Sequence, residues 1–387
     1  MTPRFKILSS LLFVFTLFLS DMAFASQQIV VYRDFGHKGD ENQVNGVLRA
    51  FAKIAGDIDV KEFNMGQESD LRFYVNTLQS NVDKKPIILA VGEKTVNSFS
   101  EMLPFVDTIS VHLCHMVTSD HPKLVGKVDF MALPIHAIDH FDQTIAGTKT
   151  QLIKTIGVSH NRQIETIEQI YQANKNKISK NGPYLGIILG GDAPTPEGKI
   201  QLFTEENVRH LANYVADMRQ DRHLLIINGP RTGKHDAQLQ EIKTSHRDGQ
   251  KDFVTQAFVD ELSKRKISED QYTLFDFQFN VPNNDMDLVL GALRQTQSSV
   301  LVPGESTSSI SECIDVLHPN AVSVYCNTAM NLVHGAHVKS EMDANRIKLL
   351  SLDLKEVHDD YKIDVQPVSS AAETIASALY KKVTAAE

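Results

Sequence analysis

From residue 28 onward the chain alternates two hydrophobic rhythms. Short strand-like runs cover residues 29–32, 60–63, 87–91, 108–113, 127–131 and 153–158, continuously apolar at 29–32 and 87–91. Between them lie segments such as 41–54, whose Val44, Val47, Leu48 and Phe51 recur at helical spacing, and 69–78. Apolar runs without polar alternation predict strands buried on both faces, and the three-to-four spacing predicts amphipathic helices. Strand and helix in alternation predict a parallel sheet covered on both sides.

The pattern pauses after a predicted helix over 162–175, in the polar stretch 176–183 that ends Asn181-Gly182-Pro183. A second series follows, with strands over 184–189, 224–228, 272–275, 300–302, 322–325 and 349–352. Its predicted helices cover 205–219, 253–264, 287–294 and 309–316, and an amphipathic segment over 371–383 closes the chain. The fold class expected is α/β, with two Rossmann-like, doubly wound parallel-sheet domains facing each other. Their limits are 26–178 and 179–352, with 353–387 as a tail and a helix that packs back on the first domain. Ligands of such sheets bind at the carboxyl ends of the strands, so the loops there carry the candidate chemistry.

The richest loop follows strand 300–302. Pro303-Gly304 makes a turn, and Ser306, Thr307 and Ser308 open the next helix. Free amides and the dipole at a helix N-terminus attract phosphate, and small hydroxyls add donors without bulk. Glu312, one turn further on, is placed to accept from ribose hydroxyls. The same hydroxyls also serve as N-caps with no ligand at all. Two further glycine turns belong to the same sheet: Gly190-Gly191-Asp192 and Asn228-Gly229-Pro230-Arg231-Thr232. The Arg231 guanidinium can donate to two phosphate oxygens at once. In the first half, the loop 34–41 contributes Gly36 and His37.

Other motifs do not hold up. Residues 229–235 resemble a phosphate-binding P-loop but are one residue short and end in His235. Residues 304–308 imitate a nucleophile elbow without its second glycine, which keeps hydrolase chemistry only as an outside alternative. Asp57-Ile58-Asp59 and Asp285-Met286-Asp287 are short acidic triplets of an ordinary kind for an acidic chain. His112, His115 and His121, like His334 and His337, lack a carboxylate or cysteine at zinc spacing and read as ordinary polar histidines.

Composition narrows the partners. The net charge of −9 and the absence of a basic stripe argue against nucleic acid. Residues 1–25 have a basic start (Arg4, Lys6), an apolar stretch and Ala23-Phe24-Ala25, the pattern of an export signal cleaved after Ala25. Its removal takes Arg4, Lys6 and Asp21 with it and leaves a net charge of −10. No later apolar run is long enough to span a bilayer. The expected location is therefore periplasmic or secreted. The three cysteines (Cys114, Cys313, Cys326) do not make a disulfide scaffold, and pairing of Cys313 with Cys326 or three buried thiols are both compatible with the pattern.

Four landmarks then resemble a known family. The run Gly39-Asp-Glu-Asn-Gln-Val-Asn-Gly-Val-Leu-Arg-Ala50 is similar to the helix opening of the mitochondrial fission protein family founded on the plant elongated-mitochondria protein, which has many bacterial members. Ile188-Leu-Gly-Gly191 resembles its glycine strand end, Pro230-Arg-Thr232 its arginine turn, and Glu305-Ser-Thr-Ser-Ser-Ile-Ser-Glu312 its serine and glutamate element. Glu305 replaces an aspartate, and Pro230 replaces the first of two arginines. The resemblance implies a fold like that of two-Rossmann (GT-B) glycosyltransferases and binding of a nucleotide diphosphate sugar, with metal-independent transfer to an acceptor. Under it, Gly304, Ser306, Thr307, Ser308, Arg231 and Thr232 surround the diphosphate, Glu312 holds the ribose, and Gly190 and Gly191 let the backbone approach. His37, in the loop with Gly36, becomes the general base, followed by Asp34 or Glu41. No cofactor is expected. Two alternatives use the same fold: a non-catalytic scaffold or binding protein, and a nucleotide-sugar epimerase.

Overall fold

The computed structural model describes residues 26–79, 85–138, 141–195, 198–357 and 368–385. The expected export signal, residues 1–25, lies outside these. The first sheet is built from β1 (Gln27–Arg33), α1 (Lys38–Ala55), β2 (Ile58–Asn64), α2 (Glu68–Gln79), β3 (Ile87–Val91), α3 (Val96–Met102), β4 (Ile109–Leu113), β5 (Phe130–Pro134), α4 (Phe141–Ile145) and β6 (Gln151–Thr155). Strand order is β2-β1-β3-β4-β5-β6, and every pairing is parallel. Alternate side chains of β1 enter opposite cores: Ile29 and Val31 meet Val44 and Phe51 of α1, while Val30 and Tyr32 meet Leu71 and Val75 of α2. That double burial is why the central strands carry no polar alternation.

The second unit comprises α5 (Ile164–Asn174), β7 (Tyr184–Ile188), a short hairpin of β8 (Ala193–Pro194) and β9 (Ile200–Gln201), α6 (Glu205–Met218), β10 (His223–Ile227), α7 (Phe253–Lys264) and β11 (Tyr272–Phe275). It continues with α8 (Asp285–Gln295), β12 (Ser299–Pro303), α9 (Thr307–Val316), β13 (Val322–Tyr325), α10 (Leu332–Asp343), β14 (Lys348–Leu350) and β15 (Glu356–Val357). Its order is β11-β10-β7-β12-β13-β14-β15, parallel except for the last pair. Two doubly wound parallel sheets are thus present, as the hydrophobic pattern predicts.

Three features depart from the sequence pattern or sharpen it. Helix α5 falls within the predicted first domain, yet its Ile167 and Tyr171 are buried in the core of the second sheet beside α8. Amphipathicity says that a face is buried but not against which partner. The final helix, α11 (Ala371–Thr384), packs on α1 through Ile375, Ala376 and Leu379 and so joins the first unit. Helix α10 carries no apolar stripe and was not expected. It is a cleft helix, capped by Asn331, with His337 and Glu341 facing inward. All three cysteines are free thiols. Among the described residues, no helix is long and apolar enough to cross a membrane.

Candidate functional site

The carboxyl ends of both sheets open on one cleft of about 1500 Å³. One wall is formed by Glu305, Thr307, Ser308 and Glu312 around the start of α9, by Arg231, and by His334 and its neighbours on α10. The other carries His37, Asn42 and Gln43 from the start of α1, with His115 and Met116 after β4 and His136 after β5. Residues 156–160 of the connecting segment floor it.

Helix α9 begins at Thr307, so Thr307 and Ser308 sit in its first turn, where amides have no acceptor within the helix. Both face the cleft. Ser306 is the N-cap residue but does not cap through its side chain. Its Oγ donates instead to Ser309 Oγ at 2.8 Å. Arg231 is exposed and lines the same cleft, and no described carboxylate is within ion-pair distance of its guanidinium. An unpaired arginine and a helix N-terminus lining the same cleft make an anion-binding wall. Beside them, burial holds the His334 imidazole down to about 4, with Arg231 adding to the effect, so that side chain is neutral near pH 7.

The other expected residues of this wall are occupied differently. Glu312 is 7% exposed, and its Oε2 accepts from Arg162 Nε at 2.7 Å, while Arg162 also pairs with Asp287. The carboxylate expected to receive ribose is therefore engaged by a residue of the connecting segment. Gly190 and Gly191 do not border the cleft. A Cβ on Gly190 would meet the Phe203 ring at 2.9 Å, and one on Gly191 would meet Arg231 Cβ at 2.7 Å. Their missing side chains make room for protein, correcting the expectation that they admit a ligand. Thr232 is 1% exposed, its Oγ1 accepting from Gly229 N and its carbonyl facing His246 Nε2 at 2.7 Å. It shapes the Arg231 turn and does not reach the cleft. Gly304 is likewise buried: its amide donates to Tyr325 O, and an added Cβ would lie 2.4 Å from Met330 Sδ.

Glu305 was noticed in the sequence only as a substitution within the motif. Its carboxylate accepts from Gly191 N at 2.7 Å and Asn327 Nδ2 at 2.5 Å, tying three loops of the second sheet together. Burial pushes its pKa up against these hydrogen bonds.

On the first wall, Gly36 lies in a turn whose amide donates to Asp34 Oδ1 at 2.9 Å, while His37 alone of this pair borders the cleft. The His37 side chain is half exposed, with Nδ1 3.5 Å from Asp40 Oδ2. Asp34 is tied to Lys94 at 2.7 Å, which lowers its pKa. Glu41 lies 3.1 Å from Lys38 and 3.9 Å from Arg33. His37 is thus the accessible base candidate of the three. Asp40, absent from the sequence expectations, is its buried neighbour, and burial raises its pKa. The signal was available, because residues three apart at a helix start share a face.

No protein-family profile matches the chain, and no curated protein sequence matches it. Solved structures of similar architecture are found at low identity. A UDP-GlcNAc 2-epimerase from Methanocaldococcus jannaschii is 9% identical over 93% of this chain and 100% of its own, with a TM-score of 0.46. A putative UDP-N-acetylglucosamine 2-epimerase from Listeria monocytogenes is 11% identical over 92% and 87%, with a TM-score of 0.47. A glycosyl transferase family 9 protein from Veillonella parvula is 13% identical over 93% and 96%, with a TM-score of 0.41. At this distance the chemistry must be read from the cleft itself.

Proposed function

We propose that the cleft binds a nucleotide diphosphate sugar on its second-domain wall and transfers the sugar to an acceptor held on the first. The observation that carries this reading is the pairing of the α9 N-terminus, with Thr307 and Ser308, and an unpaired Arg231 across from His37. Amides, hydroxyls and guanidinium neutralise a diphosphate and stabilise it as a leaving group, so the donor side needs no cation. His37 removes the acceptor proton, oriented by Asp40 at 3.5 Å. In this scheme the chain is an exported member of the mitochondrial fission protein family.

One observation favours a second reading. Glu312 is already bound to Arg162, which leaves the ribose without its expected acceptor. A non-catalytic family member that keeps the cleft as a binding or scaffolding surface accommodates that pairing. Titration calorimetry against a panel of nucleotide sugars separates the two. Binding that Arg231→Ala abolishes supports the donor site, and silence across the panel from folded protein supports the scaffold. Donor consumption without any acceptor present assigns the epimerase chemistry instead.

A further inference from the structure

We propose that Glu93, Cys114 and His115 form a zinc site on the first-domain wall of the cleft, separate from the diphosphate wall. The three converge from neighbouring strand ends: Glu93 follows the Gly92 turn after β3, and Cys114 and His115 directly follow β4. One donor atom from each lies within 4.8 Å of the other two. His115 Nε2 is 3.5 Å from Glu93 Oε1. Two ligands sharing a tetrahedral zinc, with bonds of about 2.1 Å, stand about 3.4 Å apart. A thiol, an imidazole and a carboxylate together suit zinc better than the hard, oxygen-seeking cations.

A second observation points to a ligand at the same place. Asp40 is 4% exposed, and its Oδ1 is buried with no hydrogen-bond partner. Glu93, His115 and Cys114 all lie within its electrostatic reach. The carboxylate occupies space that only a glycine leaves open, since a Cβ on Gly92 would sit 2.3 Å from Asp40 Oδ2. Two carboxylates are therefore held close together, and the nearby Lys94 is engaged by Asp34. A buried carboxylate oxygen left without a partner beside these groups is what an ion explains. Sequence spacing hid this grouping because its carboxylates come from other strand ends.

Three protein donors leave a fourth tetrahedral position, the arrangement of zinc sites that bind water or substrate. His115 borders the cleft on the wall assigned to the acceptor. A hydroxyl or water bound there would lose its proton more readily. The inference goes beyond nucleotide-sugar binding and stands without it.

The test uses tag-free full-length protein, loaded with zinc, dialysed, and assayed by elemental analysis and by cobalt(II) substitution. One retained equivalent of zinc is expected, with a thiolate-to-cobalt charge-transfer band that Cys114→Ser removes and Cys326→Ser keeps. Glu93→Gln and His115→Ala should each weaken zinc binding by roughly tenfold or more. Because Cys114 is buried, His115→Ala decides the matter should Cys114→Ser fail to fold. Absence of stoichiometric zinc overturns the proposal, as does a cobalt band that survives Cys114→Ser. Unchanged affinity in folded His115→Ala protein overturns it equally. None of these results depends on whether a nucleotide sugar binds.

Discussion

Arg162, in the segment that joins the two sheets, donates from Nε to Glu312 Oε2 of helix α9 at 2.7 Å. The pair couples the orientation of the connecting segment to the helix whose N-terminus faces the cleft. Nearby, Val158 N donates to Ser311 Oγ at 3.0 Å and His160 Nε2 lies 3.1 Å from Asp315 Oδ2. One face of α9 is therefore pinned to the connecting segment at three points.

Removing Arg162 leaves Glu312 largely buried without its cation. Arg162→Ala should cost roughly 2–4 kcal/mol of unfolding free energy, read by urea denaturation. Adding Glu312→Gln should restore part of it, because the stranded charge is gone. Equal stability of the single and double variants would show that the ion pair is not the cause.

Donor binding should depend on Arg231, Thr307 and Ser308 and not on the buried glycines. Thr307→Ala and Ser308→Ala should each weaken binding by about 1.5–3 kcal/mol if they donate to a charged phosphate. Gly304→Val should instead lower the melting temperature, since its side chain collides with Met330. Calorimetry and thermal melts on the same samples distinguish the two. Unchanged affinity in Arg231→Ala would remove the diphosphate from this wall.

His37→Ala should reduce turnover by about 10²–10⁴-fold while leaving donor affinity near its original value. Asp40→Asn should give a smaller loss of turnover, because it orients the base without touching the acceptor. Steady-state rates alongside donor titrations provide the measurement, and full turnover in His37→Ala would discard the base.

Stability should fall in acid. Burial holds His136 down to about 4 and His112 down to about 3, from an ordinary 6.5. Each is neutral in the fold and charged in the unfolded chain below 6.5. Their contribution is therefore present above pH 6.5 and lost as pH drops toward 4. Glu341, pushed up to about 7 by burial with Arg346 opposing, works the other way and loses its contribution as pH rises from 4.5 to 7. His136 and Glu341 shift by similar amounts in opposite senses and roughly offset each other, so the net loss in acid comes from His112. The melting temperature should drop between pH 6.5 and 4.5, and less so in His136→Phe. A melting temperature that holds steady over this interval would contradict the burial of these rings.

The sequence by itself determined the local order of the fold. Continuous runs such as 87–91 and 184–188 have nothing to offer water on either face, so helices must cover both. Local signals also located the start of α9, because hydroxyls after a strand and a glycine turn are a short-range pattern. Tertiary structure decided which helix faces which core, and Tyr171 shows why: an apolar stripe is satisfied by any apolar partner within reach. It also decided what fills the glycine turns. Gly191 gives space to Arg231, which lies forty residues along the chain, and no spacing rule encodes that approach. Helix α10 escaped notice because its inward face is polar, with His337 and Glu341 buried where a stripe of leucines would have announced it. The grouping of Asp40, Glu93, Cys114 and His115 is of the same kind. Asp40, Glu93 and the Cys114-His115 pair come from three different element ends, and only the parallel register of β1, β3 and β4 brings those ends together.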